Sequence, residues 1–367
     1  MPGETSIYFE PANRSCENYS YLLSKVYYFL IKNNYAVVWN RVEADIIIAG
    51  SCCVTDLVLS QGDDLIQRLQ KEYPEKIIIY LGCASSLTSL YENKNLLILN
   101  QDNVEKLDVF FKASTTMSEI HVDYLVAFLE YQKYGHRNDN MVNISKGCAN
   151  KCSYCNIKLA KGNVVSKSVD TILCDIARIV AKKEDVITLL SDDCGSYGLD
   201  ISLTLPELIK AINTKFMNVK IKVYNIHPMF FIRYFEALTP FIISKTIIFM
   251  TIPIQTSVQR ILALMNRSYD MEVVRQLILK VREFNEKVIL TTHVMLNFPT
   301  ETMEEFRMSL EYAKLFNYNI ICAYGDNLRT KSHEYFLEFK DSDELLIAKQ
   351  ALAQEYLDKK FIDGIIV

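Results

Sequence analysis

Between about residue 141 and residue 326, short runs rich in β-branched and aromatic residues alternate six times with stretches that carry apolar residues at helical spacing. That alternation is the sequence appearance of repeated βα units around a parallel sheet. The pattern predicts strands over Met141–Lys146, Asp185–Ser191, Val219–Ile226, Thr246–Gln255, Lys287–Leu296 and Asn319–Tyr324. Helical stretches between them include Ser168–Ala181, Leu205–Asn213, Val258–Met265 with Glu272–Phe284, and Glu301–Leu315. Six such units make a partial (β/α)6 barrel. Working residues then belong in the βα loops at the carboxyl ends of the strands.

The first 110 residues alternate as well, with strands expected at Ser6–Phe9, Ala36–Trp39, Asp45–Ala49, Lys76–Leu81 and Leu96–Leu99 and helices at Tyr19–Lys32 and Gln61–Lys71. This reads as a separate small α/β domain over residues 1–111. Residues 112–140 read as a linker, residues 141–335 as the barrel and residues 336–367 as a C-terminal helical segment with an amphipathic helix over Asp343–Lys360. The longest apolar run, Ile242–Ile254, is broken by Lys245 and Thr246 and is too short to span a bilayer, so no membrane role is expected. A net charge of −4 gives no bulk positive field for nucleic acid, although a local basic groove is compatible with an acidic total.

The first barrel strand runs directly into Lys146-Gly-Cys-Ala-Asn-Lys-Cys-Ser-Tyr-Cys-Asn, a C-x3-C-x2-C triplet of Cys148, Cys152 and Cys155. Three thiolates hold three corners of an iron–sulfur cube and leave the fourth iron open, which suits catalysis. Structural zinc usually draws four ligands from paired units, and no second pair or nearby histidine follows. Ten cysteines in 367 residues are too sparse for a disulfide scaffold, and the N-terminus lacks the apolar core of a leader, so a reducing cytoplasm is expected.

The triplet, with Tyr154 just before its last cysteine, resembles the signature of the radical S-adenosylmethionine (SAM) enzymes. The resemblance implies a [4Fe–4S] cluster whose open iron chelates SAM and whose electron cleaves it to methionine and a 5′-deoxyadenosyl radical. The protein's part is then to position and shield that radical.

Three further cysteines fall at strand ends of the first domain, in Cys16-Glu-Asn-Tyr, Ala49-Gly-Ser-Cys52-Cys53-Val and Leu81-Gly-Cys83-Ala. The carboxyl edge of an open parallel sheet is where such folds bind ligands, whereas ordinary core cysteines are simply small hydrophobes. Their contexts and order are similar to the cysteine motifs of the methylthiotransferase branch of radical SAM enzymes. Leu190-Ser-Asp-Asp-Cys-Gly-Ser-Tyr-Gly-Leu-Asp200, Ile252-Pro-Ile-Gln-Thr-Ser-Val-Gln-Arg-Ile-Leu262 and Met265-Asn-Arg-Ser-Tyr269 extend the likeness to about residue 330. The resemblance implies a second [4Fe–4S] cluster on Cys16, Cys52 and Cys83, with Cys53 a competitor for the place of Cys52. SAM then serves as radical source and methyl donor, and a flavodoxin or ferredoxin as electron donor. Both sites must face one dry cavity with the substrate carbon between them. No catalytic side chain beyond the cluster ligands is implied.

Around SAM, the resemblance places Tyr154 against adenine, Asp192 and Asp193 at the ribose or amino group, and Gln255, Ser257 and Arg267 from the fourth-strand motif. Arg267 is a planar fork suited to the SAM carboxylate. Lys161 and Lys167 stand where the family often has arginine, and His227, before Pro228, is a cavity candidate. Cys174 and Cys322 read as core, and Cys194 as a loop residue without a ligand partner.

Two loops depart from the family. The usual Gly-Phe-Pro-Gly-Glu-Thr is Asn297-Phe-Pro-Thr-Glu-Thr302, which loses two glycines and implies a changed or less crowded loop. The usual Tyr-Ser-Pro-Arg-Pro-Gly-Thr is Tyr324-Gly-Asp-Asn-Leu-Arg-Thr330. Asn297 and Tyr324 are therefore cavity candidates on the substrate side. The chain given also lacks the small β-barrel (TRAM) domain with which family members grip a macromolecular substrate. These departures and the acidic total favour a peptide or protein side chain as substrate. The commonest family activity, at C2 of a modified adenosine in tRNA, is the alternative, and a non-catalytic electron-transfer protein a remote one.

Overall fold

The computed structural model describes residues 5–10, 16–122, 125, 140–338 and 343–367. The chain divides into two compact units, residues 1–141 with 159–162, and residues 142–158 with 163–367.

In the first unit, β1 (Ser6–Phe9), α1 (Glu17–Lys32), β2 (Ala36–Val37), β3 (Ile46–Gly50), α2 (Asp56–Glu72), β4 (Ile77–Leu81), β5 (Leu96–Leu99) and α3 (Lys106–Phe110) follow in order. The strands form one parallel sheet in the order β2-β1-β3-β4-β5. β3 is buried at every position and β4 at all but its first, so both read as continuous apolar runs, as central parallel strands do. The strand order reverses between β1 and β3, which makes their carboxyl ends the switch point where such sheets bind ligands. Helix α2 starts five residues ahead of its apolar period because the Thr55 hydroxyl caps it, accepting from the Val58 amide. Gly50 is required where it stands, since a Cβ there would lie 2.2 Å from the Leu81 carbonyl oxygen.

The expected linker is in part core of this unit. Met117 and Ile120 are buried with Phe29 and Leu30, and the Asn33 carboxamide oxygen accepts from the Ser114 and Thr115 amides at 2.8 and 3.0 Å. The polar spacing of that stretch hid a side-chain anchor 81 residues upstream of Ser114. The rest of the expected linker, residues 123–124 and 126–139, lies outside the described residues.

The second unit contains β6 (Met141–Asn143), β7 (Ser145–Lys146), α4 (Asn156–Lys161), β8 (Val165–Ser166), α5 (Val169–Ala181), β9 (Val186–Leu190), α6 (Leu205–Lys215), β10 (Lys220–Val223), α7 (Pro228–Ile243), β11 (Ile247–Thr251), α8 (Gln259–Leu264), α9 (Met271–Phe284), β12 (Ile289–Leu296), α10 (Met303–Ala313), β13 (Tyr318–Ala323), α11 (Ser332–Glu338), α12 (Asp343–Asp358) and β14 (Gly364–Ile366). The end of α4 belongs to the first unit. The main sheet has the order β14-β13-β12-β11-β10-β9-β6, the alternating α/β partial barrel that the period implied, with parallel pairing from β9 through β14.

It holds seven strands where six were expected. The seventh, β14, is three residues long and pairs beside β13 because Gly364 lets the backbones meet; a Cβ there would lie 2.1 Å from the Asn319 carbonyl oxygen. The C-terminal segment is therefore part of this sheet and not an appendage. Among the described residues no helix is long and apolar enough to cross a membrane.

Candidate functional site

The triplet loop leaves β7 through Gly147, whose φ of +72° turns the chain. The Gly147 amide donates to Asp192 Oδ2 at 2.8 Å, so Asp192 holds the start of the loop from the end of β9. Farther along, Ser153 donates through its amide to the Met265 carbonyl and through its hydroxyl to that of Leu264, at 3.0 and 2.7 Å. Asn327 Nδ2 donates to the Tyr154 carbonyl at 2.8 Å, which ties the loop to the segment that departs from the family pattern.

Two of the three thiols have donors at hydrogen-bonding reach, and Cys148 Sγ also lies 3.8 Å from Asp193 Oδ2. Cys148 Sγ accepts from the amide and the carboxamide of Asn150 at 3.4 and 3.2 Å. Cys152 Sγ lies 3.7 Å from Arg267 Nη1 and 4.0 Å from His227 Nε2. His227 Nδ1 accepts from the Met229 amide at 3.2 Å, which leaves the ring proton on Nε2, facing the sulfur. Burial pushes the Cys148 thiol up to about 12, with the Asp193 charge adding to it, and the Cys155 thiol to about 11. Such thiols ionise only against a strong positive partner, and a metal centre is one.

Arg267 is buried and donates to the Tyr269 hydroxyl, the Tyr154 hydroxyl and the Pro253 carbonyl at 2.9, 3.0 and 2.6 Å, with no carboxylate among these contacts. A buried guanidinium beside Cys152 suits a centre with anionic sulfurs. Three thiols carried by one loop, donors on the sulfurs of Cys148 and Cys152, and this charge all fit an iron–sulfur cluster. Among the described residues no three His, Cys, Asp or Glu side chains could share one metal ion. The thiolates of a cubane each take a different iron.

Several expected SAM contacts are otherwise engaged. Asp193 Oδ1 accepts from the Gly195 and His227 amides at 3.1 and 3.0 Å, and Oδ2 from Ser196 Oγ and Asn150 Nδ2 at 2.5 and 2.8 Å. With every acceptor position filled, it is a hub of the loop and not an open ribose ligand. Lys167 turns its ammonium to Asp175 on α5, 3.7 Å away. Lys161 belongs to the first unit, where its charge bears on Cys16, Cys53 and Cys83.

The Tyr154 ring meets Phe298 edge-on at 6.2 Å, and Phe298 meets Tyr324 at 5.3 Å. Gln255 has a φ of +68° and takes part in a bridge with β12, its amide donating to the His293 carbonyl at 2.8 Å. The Ser257 amide donates to Ser309 Oγ at 3.1 Å.

Asn297 and Thr300 stand at φ of +63° and +71°. The loop therefore takes at both positions the conformation glycine favours, and the substitutions did not remove the backbone demand. Arg260 compensates at Thr300, donating to its hydroxyl and carbonyl at 2.8 and 2.9 Å. Asn297 Oδ1 accepts from Lys349 on α12 at 3.2 Å. Cys194 is core, its sulfur on the Leu189 carbonyl, but Cys174 is exposed because the buried face of α5 is Ile172, Leu173, Ile176 and Ile179.

Sequence reasoning passed over Asn150, Ser196, Tyr269, Asn327 and His293. The first four lie inside the quoted motifs, and only His293 lies outside them. His293 on β12 is held down to about 4 by burial, with the Arg267 charge adding, so it is neutral.

In the first unit, Cys16 caps the start of α1 after β1, Cys52 and Cys53 follow β3, and Cys83 follows β4. This is the carboxyl edge at the switch point. Cys83 Sγ donates to the Ser51 carbonyl at 4.0 Å. The neighbouring Cys52 and Cys53 thiols draw the Cys83 thiol below its ordinary range, and Cys83 pushes theirs up. Burial pushes Cys16 up to about 12. All ten cysteines of the chain are free.

The pattern of the radical SAM superfamily matches residues 142–313. The ribosomal protein uS12 methylthiotransferase RimO of Thermosipho africanus is 31% identical over 219 residues, 59% of this chain and 49% of that protein. A probable threonylcarbamoyladenosine tRNA methylthiotransferase of Archaeoglobus fulgidus is 27% identical over 74% of this chain and 65% of its own length. A tRNA-2-methylthio-N(6)-dimethylallyladenosine synthase of Clostridium botulinum is 25% identical over 79% and 68%. The chain thus spans about half to two thirds of these relatives. Among solved structures, the radical SAM methyltransferase TsrM of Kitasatospora setae, with cobalamin and a [4Fe–4S] cluster bound, superposes at a TM-score of 0.53 with 10% identity, over 87% of this chain and 75% of that one. That likeness shows the fold alone.

Proposed function

Because the chain belongs to the radical SAM methylthiotransferase family, we propose that it inserts a methylthio group at an unactivated C–H carbon of a protein side chain. The observation that carries this reading is the presence of two cysteine sets in one chain, each at the carboxyl edge of its own parallel sheet. In this reading, a [4Fe–4S] cluster with SAM on Cys148, Cys152 and Cys155 supplies the hydrogen-abstracting radical, and a second on Cys16, Cys52 and Cys83 supplies the sulfur. Asp192 and Asp193 fix the triplet loop. Arg267 and the neutral His227 turn N–H groups toward Cys152, and Tyr154, Gln255 and Ser257 line the SAM side. A reduced flavodoxin or ferredoxin is the proposed electron donor and a reducing cytoplasm the proposed setting.

A protein substrate is favoured by the uS12-modifying relative and by the acidic total of this chain. A tRNA substrate is the second reading, favoured by the tRNA-modifying relatives that align over three quarters of the chain. The test is anaerobic reaction of the reconstituted protein with SAM and dithionite on ribosomal protein and on total tRNA, followed by mass spectrometry of peptides and nucleosides. A methylthio addition on a peptide is expected. Addition on a nucleoside, with tRNA binding that weakens steeply with salt, replaces the first reading by the second. No cleavage of SAM in either mixture overturns both.

A further inference from the structure

Lys349 lies in the middle of α12, on the face that carries Leu352, Ala353 and Tyr356, and it is wholly buried. An ammonium has three protons to place. The acceptors it finds are all on the loop after β12: Asn297 Oδ1 and Glu301 Oε2, each at 3.2 Å, and the Glu301 carbonyl. That loop also closes on itself, the Glu301 carboxylate accepting from the Asn297 amide at 2.8 Å and the Glu301 amide donating to the Phe298 carbonyl at 2.9 Å.

Asn297 and Thr300 both stand at positive φ. Such backbone persists only where its surroundings hold it, and here Lys349 holds one end of the loop and Arg260 the other. Asparagine tolerates this conformation better than other non-glycine residues, and its side chain gives Lys349 an acceptor that glycine would lack. Apolar residues on the same face of α12 are enough to dock a helix, and a buried ion pair adds little to stability over an apolar pair. The placing of the loop is what the charged pair adds.

The loop carries Phe298, buried among Val258, Ile261 and Met265. Its ring meets Tyr154, the residue before the last cysteine of the triplet, edge-on at 6.2 Å, and Tyr324 at 5.3 Å. We propose that Lys349 is a positioning residue of the SAM site, clamping the loop after β12 so that Phe298 backs the Tyr154 ring where SAM meets it. This rests on the reading of Tyr154 as a SAM contact. Lys349 acts through Phe298 and touches no part of the site itself. The clamp orders the loop before SAM arrives, so that ordering does not weaken SAM binding.

The experiment uses the reconstituted full chain, reduced with dithionite and titrated with SAM under electron paramagnetic resonance of the triplet cluster. Lys349→Met with Glu301→Leu removes the clamp and leaves no lone buried charge, so the fold is kept and the SAM midpoint reports positioning. That midpoint should rise about tenfold, the factor that about 1.4 kcal/mol produces. Iron should stay at about eight per chain. Phe298→Leu should raise the midpoint as well, and removing the clamp in that background should add little, because the clamp works through that ring.

A parent-like midpoint in the double variant, with full iron, overturns the positioning role and leaves Lys349 as a structural residue. Additive effects of the clamp and of Phe298 overturn it too, because Lys349 would then reach SAM by another route. So does loss of iron from the double variant, since a residue that acts on the Tyr154 ring is not needed to hold the cluster. If Tyr154→Leu leaves the SAM midpoint unchanged, the reading of Tyr154 falls and this proposal with it; a shift in Tyr154→Leu beside a parent-like double variant overturns the clamp alone.

Discussion

Asp193 shows how much one carboxylate organises. It accepts four hydrogen bonds from Asn150, Gly195, Ser196 and His227, residues of the triplet loop, its own turn and the cap of α7. Removing it strands buried donors on three segments, so Asp193→Ala should lower stability by about 3 kcal/mol, read from anaerobic urea unfolding. The same variant should retain less iron on the triplet, because Asn150 and His227, which face Cys148 and Cys152, lose their common acceptor. An unchanged urea midpoint would contradict this role. That Asp193 belongs near the site was legible from the quoted loop. Its role as acceptor was not, because three of its donors are peptide or hydroxyl groups whose direction no residue type announces. Arg267 has the same history: the motif located it, and only the fold shows its fork spent on Tyr154, Tyr269 and Pro253.

At the scale of elements, α12 is joined to the loop after β12 by a fully buried pair, Lys349 and Glu301, 3.2 Å apart, with the Lys349 ammonium also on Asn297 Oδ1. A buried carboxylate left without its cation is costly, so Lys349→Met should destabilise the chain by roughly 3 kcal/mol, whereas Lys349→Met with Glu301→Leu should recover most of that loss. Equal urea midpoints for the single and double variants would rule this out. Burial outweighs the attraction of Lys349 and raises the Glu301 carboxyl from 4.5 to about 7. Between these values the folded chain keeps a proton that the unfolded chain has released. This group's contribution is therefore complete below pH 4.5 and is lost as pH rises toward about 7. The drop in urea midpoint from about pH 5 to about pH 7 should be smaller in Glu301→Gln than in the parent, and an identical drop would show that Glu301 titrates normally. The two non-glycine residues of this loop marked it in the sequence, but the partner on α12 was out of reach because a lysine in an amphipathic helix reads as solvated. The fold itself was legible wherever the period was clean. Helix α7 was not, since its buried Phe230, Phe231, Tyr234 and Phe235, with Met229, Ile232 and Phe241 partly buried, leave only Arg233 and Glu236 as charged residues to mark its exposed side. Strand β14, at three residues, is shorter than any pattern.

At the scale of the whole molecule, the chain repeats one physical arrangement in two units, a parallel sheet with thiols in the loops at its carboxyl edge. The first sheet carries Cys16, Cys52, Cys53 and Cys83 just after three of its strand ends, and the second presents Cys148, Cys152 and Cys155 from one loop. Each set is built by its own unit, so loading of one should not depend on the ligands of the other. Reconstituted under anaerobic conditions, the full chain should hold about eight iron and eight sulfide, the content of two cubanes. Replacing Cys148, Cys152 and Cys155 by alanine should leave about half, and so should replacing Cys16, Cys52 and Cys83. The two halves should differ in kind, because addition of SAM should perturb the electron paramagnetic resonance of the cluster held by the triplet and leave the other unchanged. If either triple variant lost all of its iron, the units would not be independent in binding metal. If the variant of Cys16, Cys52 and Cys83 kept the full content, the first unit would hold no cluster, and the sulfur for transfer would have to come from elsewhere.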